Sequence, residues 1–319
     1  MMRAFVAKGD KLALLPEADP LADAVWIDLW SPTAAQIAAV NGLGVDVPTL
    51  ADMEEIEISN RLYREGDTAY MTAVLPGEMP DGTRVAMPVT FLMSPGRLIT
   101  VRHHTPRPFV TFPERADRST TGCRTAERVF LGLIEEIIAR MADILEGSGR
   151  VLDDTVLRVF DSGADSAASD LQLSLSKVGR EAELMARVRL GLLTIERILA
   201  FYTAAIDDRP DRNKLRPVLR GQIRDVQALE VHADFLSSRV SLSVDTTLGM
   251  INLQQNKTVR VLSVISALFL PPTLIASVYG MNFQVMPELA KSWGYGMALV
   301  MMAASAVGTY LILRWKKWL

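Results

Sequence analysis

The chain has 319 residues, of which 49% are hydrophobic and 22% charged, with a formal net charge of -3. A mean hydropathy of +0.19 argues against a wholly soluble enzyme, because the apolar excess is concentrated rather than spread through a core. Positions 261–287 and 292–313 carry no charged side chain, and each run is at least as long as the roughly 20 apolar residues that span a bilayer.

Past residue 260 the only charges are Glu288, Lys291, Arg314, Lys316 and Lys317, so residues 1–260 carry -6, with 30 bases against 36 acids. A mildly acidic front part argues against a nucleic-acid binder, which presents a basic patch. It suits attraction of cations, although ordinary solubility is the simpler reading. Cys123 is the single cysteine, which leaves no disulfide framework or thiolate metal site and fits a reducing compartment. The first ten residues lack the apolar stretch of a secretory signal, so the front part is expected in the cytoplasm.

In chain order, residues 1–120 predict a cytoplasmic domain with a mixed or antiparallel sheet and flanking helices, an α+β class. Ala24-Val25-Trp26-Ile27-Asp28-Leu29 predicts a strand. Ser31-Pro32 then offers an N-cap and a first-turn proline for a helix over 34–40. Runs at 61–63 and 68–75 flank Glu65-Gly66-Asp67, and runs at 85–93 and 98–103 flank Ser94-Pro95-Gly96, giving two hairpins. His103-His104, adjacent on a strand, point to opposite faces and are expected at a strand-end surface. His232 is read as a solvated or packed residue.

Residues 121–216 predict long helices, with Val129, Leu133, Ile137, Ile138, Met141 and Leu145 recurring at steps of three and four. A second helix covers 171–202, residues 161–166 form a break, and 207–211 with Pro217 mark the next turn. Residues 217–260 predict a stalk helix. Its seam, Val226, Leu229, Ala233, Leu236, Val240, Ser243, Thr247, Met250 and Gln254, follows heptad spacing and grows polar toward its C-terminal end. The pattern fits a ring of helices around a wet lumen and an ordinary coiled-coil stalk equally well.

Two spans follow: a first transmembrane helix at 261–279 and a second at 293–313, joined by an external loop at 280–292 and ending in a basic tail at 314–319. Lys257 and Arg260 before the first span, with Arg314, Lys316 and Lys317 after the second, place both termini in the cytoplasm. The first span contains Ser263, Ser266, Pro271, Pro272, Thr273 and Ser277, whereas the second is mostly Ala, Met, Val and Leu. Steps of three and four from Asn256 give Val259, Leu262 or Ser263, Ser266, Leu270, Thr273 and Ser277. That face is uncharged, as a pore that passes cations without trapping them requires. The bland alternative is that these hydroxyls bond only to the preceding turn.

At the end of the first span stands Tyr279-Gly280-Met281-Asn282-Phe283, followed by Met286-Pro287-Glu288-Leu289 and Trp293-Gly294-Tyr295. A Gly-Met-Asn triplet directly after the first of two closing spans resembles the CorA family of divalent-cation channels. Pro271-Pro272-Thr273, the Lys316-Lys317-Trp318-Leu319 ending and, more weakly, Leu98-Ile99-Thr100-Val101-Arg102 agree with it. The resemblance implies a non-enzymatic homopentameric funnel in a bacterial inner membrane, with the first spans lining the pore. It further implies a selectivity ring at Gly280, Met281 and Asn282 that holds hydrated Mg²⁺, with Co²⁺ and Ni²⁺ as further cargo. Asn256, Val259, Leu262, Ser266, Leu270 and Thr273 would line the pore, and Glu288 would sit in the external loop. Closure would come from cytoplasmic Mg²⁺ at Asp245, with Asp67 or Asp81 as candidate partner carboxylates. The expected partners are further copies of the chain, divalent cations and the lipid bilayer, with no nucleic acid. The alternatives are a Zn²⁺ transporter of the same superfamily and a non-transport protein anchored by its hairpin, whose soluble part lacks a P-loop, nucleophile elbow or Rossmann fingerprint.

Overall fold

The computed structural model describes residues 1–16, 19–55, 57–161, 168–206, 212–281, 286–287, 291–316 and 318. The chain divides into two compact units. The first comprises Met1–Thr155 with Ser176–Ser243, and the second Val156–Leu175 with Val244–Leu319.

The first unit is built on a seven-stranded mixed sheet: β1 (Met2–Lys8), β2 (Lys11–Leu14), β3 (Trp26–Trp30), β4 (Leu62–Glu65), β5 (Thr68–Glu78), β6 (Arg84–Ser94) and β7 (Arg97–Arg102). The strand order is β2-β1-β3-β7-β6-β5-β4. All neighbours are antiparallel except β3 and β7, which run parallel. Both expected hairpins form, with Glu65 opposite Thr68 and Ser94 opposite Arg97. Gly66 and Gly96 take φ of +55° and +79° at the turns, a conformation that glycine adopts without steric cost.

Alternation along β3 and β7 sorts their side chains onto two faces. Ile27, Leu29, Ile99 and Val101 join Val40, Val45, Val47 and Met53 in one buried cluster, under α1 (Ala34–Asn41) and α2 (Leu50–Glu54), and the short α3 (Ile58–Arg61) leads into β4. The opposite face packs aromatics. Trp26 meets Phe109 and Phe112 of α4 (Pro108–Arg115), and Phe130 of α5 (Ala126–Asp161) bridges Phe91 to Tyr202 of α6 (Ala168–Ala205). This face also buries a charge pair. Arg102 Nε and Nη2 donate to the two Asp28 oxygens at 3.0 and 2.9 Å. Thr100 Oγ1 donates to Asp28 at 2.9 Å and Arg102 Nη1 to the His104 carbonyl at 2.7 Å. With both partners at most 1% exposed, this forked geometry meets the condition under which a buried pair is tolerated.

Three local expectations are corrected. Ser31 does not cap α1: it turns out of β3 with φ +41° and donates its N–H to the Arg102 carbonyl. Thr33 is the cap, its hydroxyl accepting from Gln36 N while the Gln36 side chain accepts from Thr33 N, a capping box. His104 does not lie at a surface. It is 0% exposed, with Nε2 2.8 Å from the Leu75 carbonyl; burial pushes its pKa down to about 4, so the ring is the neutral donor. Pro217 does not open a helix; it lies in the second turn of α7 (Arg212–Tyr279). The segment 207–211 lies outside the described residues, as does nearly all of the expected break at 161–166.

Candidate ion pathway

The geometry starts from α7, 68 residues of unbroken helix, which contributes to both units. In the first unit its heptad seam is covered from within the same chain: Val226, Ala233, Leu236 and Ser243 are at most 3% exposed. Polar contacts fix the register. Gln222 Nε2 donates to the Leu131 carbonyl of α5 at 2.8 Å, and Gln227 Nε2 donates to Glu196 of α6 at 2.8 Å. Arg189 pairs with Asp234 at 3.1 Å and Arg239 pairs with Asp153. In the second unit Thr247, the next seam residue, is 1% exposed. The seam through Thr247 therefore does not face a wet lumen; it is the packing surface of a single subunit.

Opposite the seam in the heptad lies a second register, at alternating steps of four and three: 231, 235, 238, 242, 245, 249, 252, 256, 259, 263, 266, 270, 273, 277 and 280. Every one of these residues is exposed. Asp245 is the one charged residue among them, and from Gly249 onward the stripe is Gly, Asn, Val, Ser, Leu and Thr only. Asn256, Val259, Ser266, Leu270 and Thr273 all fall on it. Leu262 is 64% exposed but sits one position beside the register, which Ser263 occupies.

Beyond residue 254 the partly covered residues of α7 are Val264, Ala267, Leu268, Pro271, Pro272, Ile275 and Tyr279. At 100° per residue their mean direction is opposite that of the stripe. The apolar window of α7 is 0% buried, unlike the core helix of a soluble protein. Thr273 Oγ1 donates to the Phe269 carbonyl at 2.7 Å and Thr258 Oγ1 to the Gln254 carbonyl at 3.1 Å, as in the bland reading. A hydroxyl engaged this way retains its acceptor lone pairs. Gly280 ends the helix, donating to the Ala276 carbonyl at 2.9 Å; a Cβ there would lie 3.1 Å from that same oxygen. Met281 is 48% exposed. Asn282 and Glu288 lie outside the described residues.

The other apolar helix, α8 (Gly294–Trp315), is also long and apolar enough to cross a membrane. It buries Gly294, Ala298 and Leu313. Trp293, Tyr295, Tyr310, Trp315 and Trp318 near its ends are exposed, as interfacial aromatics are. Asp245, Asp67 and Asp81 are each exposed. Hydrogen bonds from Thr83 hold the Asp81 carboxyl below the usual range. Among the described residues no three His, Cys, Asp or Glu side chains form a metal-binding group.

A mixed sheet with long helices, followed by two C-terminal helices long and apolar enough to cross a membrane, is the architecture of a membrane-anchored protein with a large folded domain outside the bilayer. Residues 22–316 match the family described as CorA-like Mg²⁺ transporter protein, and the chain belongs to that family. The magnesium transport proteins CorA of Pasteurella multocida (strain Pm70) and Escherichia coli (strain K12) are each 32% identical to it over 322 residues, covering 100% of both chains. Among solved structures, the complete CorA magnesium transporter from Methanocaldococcus jannaschii superposes with TM-score 0.74 at 16% identity, over 100% of this chain and 99% of that one. The ZntB cytoplasmic domain from Vibrio parahaemolyticus gives 0.55 at 11% identity, over 80% of this chain and 97% of that one. Both structures share the fold.

Proposed function

We propose that the chain is a passive Mg²⁺ channel, assembled as a homopentamer in a bacterial inner membrane with both termini in the cytoplasm. Residues 1–260 form the cytoplasmic domain, helices and stalk, 261–279 line the pore, 280–292 face outward and 293–313 meet lipid. The observation that carries this reading is the exposed stripe of α7, uncharged from Gly249 to Gly280 and opposite the helix's covered faces.

Mg²⁺ gives up its water reluctantly. A ring of five Asn282 amide oxygens beside Gly280 and Met281 can therefore select the ion through its hydration shell, where carboxylates would hold it too tightly to conduct. Leu270, with Leu262 and Val259, supplies the hydrophobic constrictions, and Ser266 and Thr273 supply acceptors between them. Co²⁺ and Ni²⁺ share the octahedral aquo form and pass the same ring. Asp245 lies on the pore stripe, so symmetry brings five carboxylates around one axis. Cytoplasmic Mg²⁺ neutralises their repulsion and holds the closed ring; its loss lets the subunits separate.

The test is uptake into vesicles holding the purified chain and an internal Mg²⁺ dye. Asn282→Ala abolishes flux while the assembly keeps its size. Undiminished flux overturns the filter assignment, and faster Zn²⁺ than Mg²⁺ entry favours the zinc alternative.

A further inference from the structure

A cleft of about 740 Å³ opens in the first unit where the far ends of β5 and β6 meet α4, α5 and α6. It has no part in the ion pathway. One face of α5 runs along it, with Arg140, Ile144, Ser148 and Val151 at steps of four and three and Asp143 beside them, and Glu181 faces it from α6. Arg187 Nη1 donates to the Arg84 carbonyl at 2.6 Å, pinning β6 to α6 and shaping the wall. Gly77 permits the tight approach of the sheet end, since a Cβ there would lie 2.8 Å from Pro106 N.

Two independent features point to a ligand. Ser148 lines the cleft and is 2% exposed, yet its hydroxyl has no hydrogen-bond partner. A buried hydroxyl left unpaired costs free energy that a polar ligand atom would recover. Second, Arg84, Arg107 and Arg140 share the lining with Glu78, Asp143 and Glu181, and none of the six forms an ion pair with a described residue. Charges of both signs stand on one wall without neutralising each other.

A simple anion would satisfy the guanidinium groups and be repelled by the carboxylates; a simple cation would do the reverse. A phosphate chain carrying Mg²⁺ presents both signs side by side. Its oxygens fit guanidinium forks, and the waters that Mg²⁺ retains donate to carboxylates. Val110, Ile144 and Leu184 supply apolar surface between the charges, which suits a ring attached to the phosphates. We propose that this cleft binds a magnesium-bound polyphosphate, the class that Mg²⁺ forms with nucleoside triphosphates. Binding there is independent of conduction, so the proposal stands or falls apart from the channel reading.

Calorimetry on the full chain in detergent tests it, using Mg²⁺–ATP, ATP with EDTA, Mg²⁺ with inorganic triphosphate, and Mg²⁺ alone as the blank. Saturable heat beyond the blank is expected for Mg²⁺–ATP, weakened at least about tenfold by EDTA and by Arg107→Ser with Arg140→Ser. Ser148→Ala weakens it several-fold. Inorganic triphosphate binding as tightly identifies the phosphate chain as the ligand, and weaker binding identifies the nucleotide. Arg107→Glu, at an exposed position, repeats the test if the double variant does not fold. No heat beyond the blank, equal binding in EDTA, or binding unchanged by Arg107→Glu overturns the proposal.

Discussion

Along α7 the seam that begins at Val226 is covered as far as Thr247 and tied to α5 and α6 by hydrogen bonds and ion pairs. The stripe that begins at Val231 is exposed throughout and holds a single charge, Asp245. Both follow the same alternation of three and four, so periodicity alone does not distinguish them. What separates them is partnership: the seam has its partners inside the chain, and the stripe is left uncovered by the described residues. A face that repeats a packing period without an internal partner is available to further copies of the chain or to an ion path.

Substitutions of one residue type on the two faces should split sharply. Leu236→Ala in the seam should cost about 2–5 kcal/mol of unfolding free energy, as loss of a buried leucine does. Leu242→Ala, 66% exposed, should stay within about 0.5 kcal/mol in the monomer. Equal losses by denaturation in detergent would erase the distinction.

The sheet sharpens the same comparison from the other side, because there charge is buried and fully partnered. Arg102→Met leaves Asp28 buried with Thr100 and one long ion pair from Arg3 at 3.4 Å, and should destabilise the fold by about 2–4 kcal/mol; a variant as stable as the parent would contradict the pairing. His104 adds a pH dependence. Its folded pKa is lowered to about 4, so the unfolded chain binds the proton more readily. Stability should therefore fall as pH drops from the ordinary histidine value of about 6.5 toward 4. His104→Asn should flatten that part of the profile, and an unchanged slope would assign it to the carboxylates. The smallest effect should come from Thr273→Val. Its hydroxyl donates within the helix to the Phe269 carbonyl, so the path itself loses only an acceptor and the helix one side-chain bond; flux should fall a few-fold with assembly intact, and complete loss would mean the hydroxyl holds the helix.

The two C-terminal apolar helices and both hairpins were legible in the amino acids because each is a local signal: a charge-free run, a turn glycine. β1 and β2 were not. They are an edge pair with only Phe5 buried, so they carry little of the alternation that marks a strand. Thr33 rather than Ser31 caps α1 because Ser31 N is drawn to the Arg102 carbonyl, a partner about seventy residues away. His104 is buried for the same non-local reason, since its acceptor is Leu75 on β5. The seam and the stripe could not be told apart until α5 and α6 were seen to cover one of them.

The most direct measurement uses the chain's own cysteine background. Cys123 is buried and its thiol is pushed up by burial first and by nearby Asp10 and Asp117, so labelling of the parent should be low. Single cysteines at positions 263, 266, 270, 273 and 277, and at 264, 268, 271 and 275, would be treated with a charged, water-soluble thiol reagent during Mg²⁺ uptake. The account predicts that the first set reacts and blocks flux while the second does not. Block from the second set, or from both alike, would contradict the assignment of the exposed stripe of α7 as the ion path.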